Sequence, residues 1–91
     1  MANRVKKEFE NFHFNNPHVY TEIVRLARQV KKRGHKRYGI KAIFEVIRFH
    51  SIMETRGDAF KINNNYAPYY SRMVMNENKD LAGFFQLRAM G

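Results

Sequence analysis

The stretch GIKAIFEVIRFHSIME, residues 39–54, decides the fold class of this 91-residue chain. Drawn as a helix, it is apolar over most of its circumference, which is typical of a helix at the centre of a domain. Its β-branched residues also suit a strand, but sixteen residues is long for a strand, and the charges recur every three to four positions. The pattern therefore predicts a buried central helix. Its predicted innermost positions are Ile40, Ile43, Phe44, Ile47 and Met53.

A short helix is predicted near the N-terminus. Val5, Phe9 and Phe12 recur at helical spacing over residues 4–14, and the charged side chains fall mostly outside their face. We expect this apolar face to pack against the rest of the domain.

A long helix is predicted over residues 17–33. Asn16 is a favourable N-cap residue, and Pro17 suits the first helical position because its missing N–H would have no partner there. At the other end, Gly34 suits a left-handed C-cap. The helical period predicts five core positions, namely Tyr20, Ile23, Val24, Ala27 and Val30.

Shorter elements are predicted after the central helix. Residues 56–58 (Arg-Gly-Asp) are typical of a turn, and residues 60–62 (Phe-Lys-Ile) alternate as in a brief extended segment. One asparagine of residues 63–65 is expected to cap a third helix over residues 66–76, whose first turn tolerates Pro68. Apolar side chains then return in a short helix or irregular tail: Leu81, Phe84, Phe85 and Leu87.

Together these elements predict a single domain over residues 1–91. The predicted class is mainly α, a compact domain of three to five helices in a helix-turn-helix-like order with at most one short extended segment. We expect residues 1–3 and 88–91 to be loosely held. The absence of cysteine excludes a disulfide framework, a thiolate zinc site and a cysteine nucleophile. No apolar run approaches the roughly 20 residues of a membrane span, so we expect a soluble intracellular protein without a membrane partner.

The charge is strongly positive and unevenly distributed. The formal net charge is +9, and the first 37 residues hold ten basic and three acidic side chains. Residues 31–37 (Lys-Lys-Arg-Gly-His-Lys-Arg) carry five permanent cations, and Arg25 and Arg28 continue the cluster back along the long helix. Such a cluster attracts phosphate polymers. The alternative is a solvated helix end whose cations complement the negative end of the macrodipole.

The polar start of the third helix suggests base recognition. In helix-turn-helix proteins the first turn of the recognition helix faces base edges, where Asn pairs with adenine and Arg with guanine. The alternative is that the asparagines cap the helix while tyrosines pack in the core with their hydroxyls at the surface. The candidate nucleic-acid-binding residues from both features are Arg25, Arg28, Lys31, Lys32, Arg33, Lys36, Arg37, Asn63, Asn64, Asn65, Tyr69 and Arg72.

No constellation in the sequence is typical of catalysis. His50 and Glu54 lie four positions apart, but no HExxH motif exists and the other histidines are scattered. A partly exposed helical pair explains the same spacing. Glycine-rich phosphate loops and hydrolase elbows are also missing from the sequence. The sequence therefore favours a binding protein with no cofactor or metal over an enzyme.

Four blocks of sequence carry a resemblance. They are NPHVYTEIVRLARQ (residues 16–29), YGIKAIFEVIRF (38–49), FKINNNYAPYYSRM (60–73) and DLAGFFQLR (80–88). The chain resembles a family of short, mostly uncharacterised proteins encoded by bacteriophages and prophages. The order of elements also looks like a distant relative of helix-turn-helix and winged-helix domains, without a two-stranded wing. The phage resemblance brings no catalytic residues, and it implies a bacterial cytoplasm and a host-protein partner.

Two functional hypotheses follow. The first is a helical module that binds DNA, with RNA as an alternative polyanion. The second is a phage protein that binds and inhibits or modulates a host protein, since exposed aromatic and cationic side chains are common at interfaces. A homodimer through the third helix is a further alternative.

Overall fold

A computed structural model describes residues 2–54 and 62–85, with the backbone alone for residues 2, 3 and 51–54. This part of the chain is mainly helical, as predicted. In chain order its elements are α1 (Ala2–Asn15), α2 (Pro17–Lys32), α3 (Ile40–Glu54), a 3₁₀ turn (Asn64–Tyr66), α4 (Ala67–Glu77) and a second 3₁₀ turn (Lys79–Leu81). α2 packs against the three other helices. The first helix is longer than the predicted range of residues 4–14, since it begins at Ala2 and ends at Asn15.

The junction between α1 and α2 corrects one prediction. Asn16 directly precedes α2, as predicted, but its side chain makes no cap hydrogen bond to that helix. Instead, its Nδ2 and its backbone N–H both donate to the carbonyl oxygen of Phe12, at 3.0 and 2.9 Å. With a single residue between the helices, the amide of Asn16 lies beside the last carbonyls of α1 and satisfies one of them.

The core confirms the predicted inner faces of α2 and α3. Ile23, Val24 and Ala27 are buried in α2, while Tyr20 and Val30 are half-buried. The described core positions of α3 are all buried, namely Ile40, Ile43, Phe44 and Ile47, and Met53 lies outside the described side chains.

The expectation that α3 is enclosed by the rest of the domain is wrong for its outer side. Val46 and Phe49 are 38% and 60% exposed, because no other described element covers that side of the helix. An apolar sequence can mark the centre of a fold while one strip of the helix remains at the surface.

Aromatic side chains fill the space between α1 and α4. The buried Phe9 ring lies 5.3 Å from Tyr69 and 4.8 Å from Tyr70, centroid to centroid. Tyr70 is fully buried, and burial raises the pKa of its hydroxyl. Its hydroxyl is buried, so the alternative interpretation, in which it lies at the surface, is wrong for Tyr70, and it has no hydrogen-bond partner among the described residues. Tyr70 acts here as a large apolar side chain.

The end of the described chain closes the core beside α3. Leu81, Phe84 and Phe85 are buried, as predicted. The Tyr38 N–H donates to the Phe84 carbonyl oxygen at 3.0 Å, and Tyr38 and Phe85 form an isolated parallel bridge.

Some predictions fall outside the described residues. They are the turn at residues 56–58, most of the extended segment at 60–62, Leu87 and the tail at 88–91. Ile62, at the edge of this gap, is buried. The helix-turn-helix order remains a prediction, because most of the connection between α3 and α4 lies in the gap. Within the described ranges, no helix combines the length and apolar character needed to cross a bilayer.

Candidate nucleic-acid interface

The basic segment, residues 31–37, joins α2 to α3 in a defined conformation. Gly34 has a φ of 105°, as its predicted role in a left-handed cap requires. Its N–H donates to the carbonyl oxygen of Lys31 at 3.0 Å, and the N–H of His35 donates to that of Val30 at 3.4 Å. These two bonds are those of a Schellman motif. Because Tyr38 is held by Phe84, both ends of the basic segment are anchored.

Four cations of this segment point into solvent. The side chains of Lys32, Arg33, Lys36 and Arg37 are exposed, and none forms an ion pair within the described residues. Lys41 is also exposed, in the first turn of α3, and sequence reasoning missed it. Its position, only four residues after Arg37 in the sequence, could have indicated that it belongs to the same basic surface. The segment is therefore a concentration of uncompensated positive charge.

The remaining cations of the predicted cluster have partners. Arg25 donates to Oε2 of Glu22 from Nε and Nη2, at 2.9 and 2.7 Å. Arg28 donates to both carboxylate oxygens of Asp80, at 3.0 and 3.3 Å. Lys31 donates from Nζ to the backbone carbonyl of Asp80.

Asp80 contacts two cations of the predicted cluster, Arg28 and Lys31. The hydrogen bond from Arg28 lowers the pKa of the Asp80 carboxyl, with a smaller contribution from the charge of Lys31. The same hydrogen bond raises the pKa of Arg28. Arg28 and Asp80 are both about half exposed, so the pair orients side chains more than it stabilises the fold.

Two of the three asparagines predicted to read bases, Asn63 and Asn64, use their side chains within the protein, while Asn65 is exposed. Asn63 accepts a hydrogen bond from the N–H of Asn65 at 2.9 Å, which caps the 3₁₀ turn leading into α4. Asn64 accepts from Nη2 of Arg48 at 2.8 Å, and the same nitrogen donates to the carbonyl oxygen of Ile62. The capping interpretation thus accounts for Asn63. The side chain of Asn64 instead connects the start of α4 to α3 through its hydrogen bond with Arg48.

The two other predicted readers lie on α4. The half-buried Tyr69 ring stacks on Phe9 at an interplanar angle of 19°. Arg72 is exposed. One of the two therefore contributes to packing and the other lies at the surface.

The two halves of the predicted site lie toward opposite ends of α4. The asparagines precede α4, whereas Asp80, which receives Arg28 and Lys31, follows it. The eleven residues of α4 span about 16 Å at 1.5 Å per residue. The cations are thus brought together with the end of α4 rather than with its polar start.

A shallow groove of about 550 Å³ runs along the outer side of α2. Sequence reasoning missed it, because one wall comes from Asn78, fifty residues beyond Arg28. Asn78 accepts from Arg28 at 3.0 Å and donates to the Tyr20 hydroxyl at 3.1 Å, which links the two sides. Besides Asn78, the lining residues are Tyr20, Thr21, Val24, Arg25, Arg28, Gln29 and Lys32.

In the described part of the chain, no three His, Asp or Glu side chains are grouped so that they could hold a metal ion. Of His50 and Glu54, which lie four positions apart on α3, only His50 has a described side chain, and it is exposed. Comparison of the chain with family models, with curated proteins and with solved structures finds no match. Inference about the binding partner of this protein therefore depends on the charge, shape and hydrogen bonding of the surface around the basic segment.

Proposed function

We propose that this protein binds nucleic acid, DNA in the first instance, by holding the phosphate backbone with the basic segment. The observation that carries this proposal is the exposure of Lys32, Arg33, Lys36 and Arg37 without a carboxylate within ion-pair distance among the described residues. Cations that neutralise phosphates release condensed counterions, which supplies most of the affinity in sequence-independent binding.

Side chains, rather than helix dipoles, supply the positive field at this surface. The negative end of the α2 macrodipole and the positive end of the α3 macrodipole lie at either end of the same short connection, so they largely offset one another. The positive field therefore comes from the five cations of residues 31–37 and from Lys41, and the carboxylate of Asp80 reduces it in part. A polyanion is the partner that complements such a surface.

The contacts of Asn63 and Asn64 favour backbone binding over base-edge readout. Asn63 and Asn64 each use the side-chain oxygen within the protein, and that oxygen is half of the bidentate pairing with adenine. Binding through phosphates depends weakly on sequence, so we expect RNA to bind as well as DNA.

Fluorescence anisotropy with labelled duplex DNA and RNA at two salt concentrations tests the proposal. If about five phosphates are engaged, the logarithm of the affinity falls against the logarithm of salt with a slope of roughly −4 to −5. The double variant Lys36→Gln/Arg37→Gln should weaken binding and make this slope shallower by about 2.

The matched control is Lys6→Gln/Lys7→Gln. These lysines are exposed on α1, and the change removes the same number of positive charges, two, from a different surface. We expect the control to retain the wild-type slope. Absence of wild-type binding at low salt, or equal losses in the two double variants, would refute binding through the basic segment.

A second candidate is a protein-binding function, with a host protein in a bacterial cytoplasm as the partner that the phage resemblance implies. One observation favours it: Val46 and Phe49, three positions apart on α3, are both exposed. Neighbouring apolar side chains at the surface are typical of interfaces.

Affinity capture from nuclease-treated bacterial lysate separates this candidate from nucleic-acid binding. A stoichiometric partner captured by the wild type and lost with Phe49→Ser would support it. Phe14→Ser is the control, since Phe14 is a similarly exposed phenylalanine on α1. Loss of every partner after nuclease treatment would count against the candidate.

A further inference from the structure

We propose that the groove along α2 receives an unstacked base of a single-stranded nucleic acid whose phosphates lie on the basic segment. This inference rests on the proposed function and names the form of nucleic acid that the surface suits. It makes the groove a base-binding site and leaves phosphate binding to the neighbouring cations.

The groove is large enough for a base and apolar enough to hold one. Its volume is about 550 Å³, and most of its exposed lining is apolar. Val24 and Tyr20 are lining residues, and so are Arg25 and Arg28, whose side chains include apolar alkyl stems. Each nucleobase has an apolar aromatic face that such a surface removes from water.

Two arginines line the groove with restrained guanidinium groups. Arg25 donates from two of its guanidinium nitrogens to the carboxylate of Glu22, at 2.9 and 2.7 Å. Asp80 and Asn78 together hold Arg28 through three hydrogen bonds. A restrained planar guanidinium loses little entropy when a base stacks on it, and arginine planes are common stacking partners for unpaired bases. The intramolecular pairs thus orient these arginines for stacking.

The wall that includes Tyr20 is also fixed in place. The Tyr20 hydroxyl donates to Glu77 at 2.5 Å and accepts from Asn78 at 3.1 Å. Its ring centroid lies 5.6 Å from that of His13. The groove therefore does not have to be assembled when a ligand arrives, which lowers the entropic cost of binding.

The groove and the basic segment form one continuous surface. Lys32 lines the groove and is also part of the basic segment. Arg28 lies four residues before it, about 6 Å along the helix axis. One strand can therefore contact cations at Lys32 while a neighbouring base enters the groove beside Arg28.

A paired base cannot use such a site. In a duplex the faces of each base are stacked on its neighbours, and proteins reach only the base edges in the grooves. In a single strand the face is available, and stacking adds to the phosphate contacts. The chemistry of the groove thus selects unpaired nucleotides.

The test compares two ligands of equal length and charge, oligothymidylate and an abasic deoxyribose-phosphate oligomer, at one salt concentration. We expect the wild type to bind oligothymidylate about tenfold more tightly, since stacking of a single base is of that order. Arg28→Lys keeps the charge but removes the planar group, so this preference should fall while affinity for the abasic oligomer is retained.

Arg4→Lys is the matched control, because Arg4 is an exposed, ion-paired arginine of α1 that belongs neither to the groove nor to the basic segment. It should preserve the preference for oligothymidylate. Circular dichroism checks that both variants remain folded, and the wild-type comparison needs no variant at all.

The outcomes separate the two proposals. If the wild type binds neither oligomer nor duplex at low salt, the proposed function itself fails. If it binds both oligomers equally well, the nucleic acid is held by its backbone alone, which overturns the base-binding site and leaves the proposed function standing.

Discussion

Arg28 in α2 donates from Nε and Nη2 to the two carboxylate oxygens of Asp80, fifty-two positions further along the chain. The pair joins α2 to the 3₁₀ turn that follows α4. It also places a carboxylate beside the basic segment, because Lys31 donates to the backbone carbonyl of Asp80. Because one partner is a carboxylate, the pair should respond to pH.

The pKa of Asp80 should depend on Arg28. The hydrogen bond from Arg28 lowers this pKa in the folded protein, so the pair contributes stability above the pKa of the unfolded chain. That contribution is lost as the pH falls from about 4 through the folded-state pKa. We expect an NMR titration of the carboxyl carbon to give a midpoint below the ordinary aspartate value, and Arg28→Gln to raise it. Arg25→Gln should leave the midpoint of Asp80 in place, and equal midpoints in wild type and Arg28→Gln would contradict the prediction.

Gly34 tests the left-handed cap at the end of α2. A Cβ at this position would meet no atom within 4 Å, so any cost of substitution comes from the φ of 105° alone. We expect Gly34→Ala to lower the free energy of unfolding by about 1 kcal/mol in urea denaturation. Gly34→Asn should cost less, because asparagine tolerates positive φ better. Equal stability of the wild type and the alanine variant would argue against the Schellman motif.

Two tyrosines should respond in opposite directions to loss of the hydroxyl. Tyr70→Phe removes a buried hydroxyl with no partner in the described structure, and should raise the free energy of unfolding by about 1 kcal/mol. Tyr20→Phe removes a hydroxyl that bonds Glu77 and Asn78, and should lower it by about 0.5–1 kcal/mol. Thermal and urea denaturation measure both. A marked loss of stability in Tyr70→Phe would show that its hydroxyl is paired.

Two phenylalanines of α3 should differ sharply in their contribution to stability. Phe44 is fully buried, so Phe44→Ala should cost about 3–5 kcal/mol and bring the domain close to unfolding. Phe49 is 60% exposed, and Phe49→Ala should change stability by no more than about 0.5 kcal/mol. Urea denaturation compares the two. A large loss in Phe49→Ala would mean that part of the protein covers this side chain.

Much of the helical framework was predictable because its signals are local. The positions of Ile43 and Phe44 follow from spacing within one helix, and the cap at Gly34 follows from the needs of a single turn. Asn16 shows the limit of such signals. Its side chain suits the start of α2 equally well, and only the arrangement of two adjoining helices turns it toward Phe12.

The candidate site was less predictable, because several of its contacts join residues that are far apart in the sequence. Arg28 and Arg33 look alike in the sequence, yet one pairs with Asp80, fifty-two positions away, and the other forms no ion pair among the described residues. The exposure of Phe49 was equally hidden, because it depends on where neighbouring helices pack and not on the apolar character of α3 itself.

The sequence by itself determined where the helices form, most of the positions that face the core, and that positive charge concentrates in residues 31–37. These are properties of neighbouring residues, set by helical periodicity, capping and composition. Only the tertiary structure decided that Asp80 meets Arg28 and that Asn78 closes a groove against Tyr20. Contacts fifty residues apart depend on how α4 packs against α2, and burial of the shared core sets that packing.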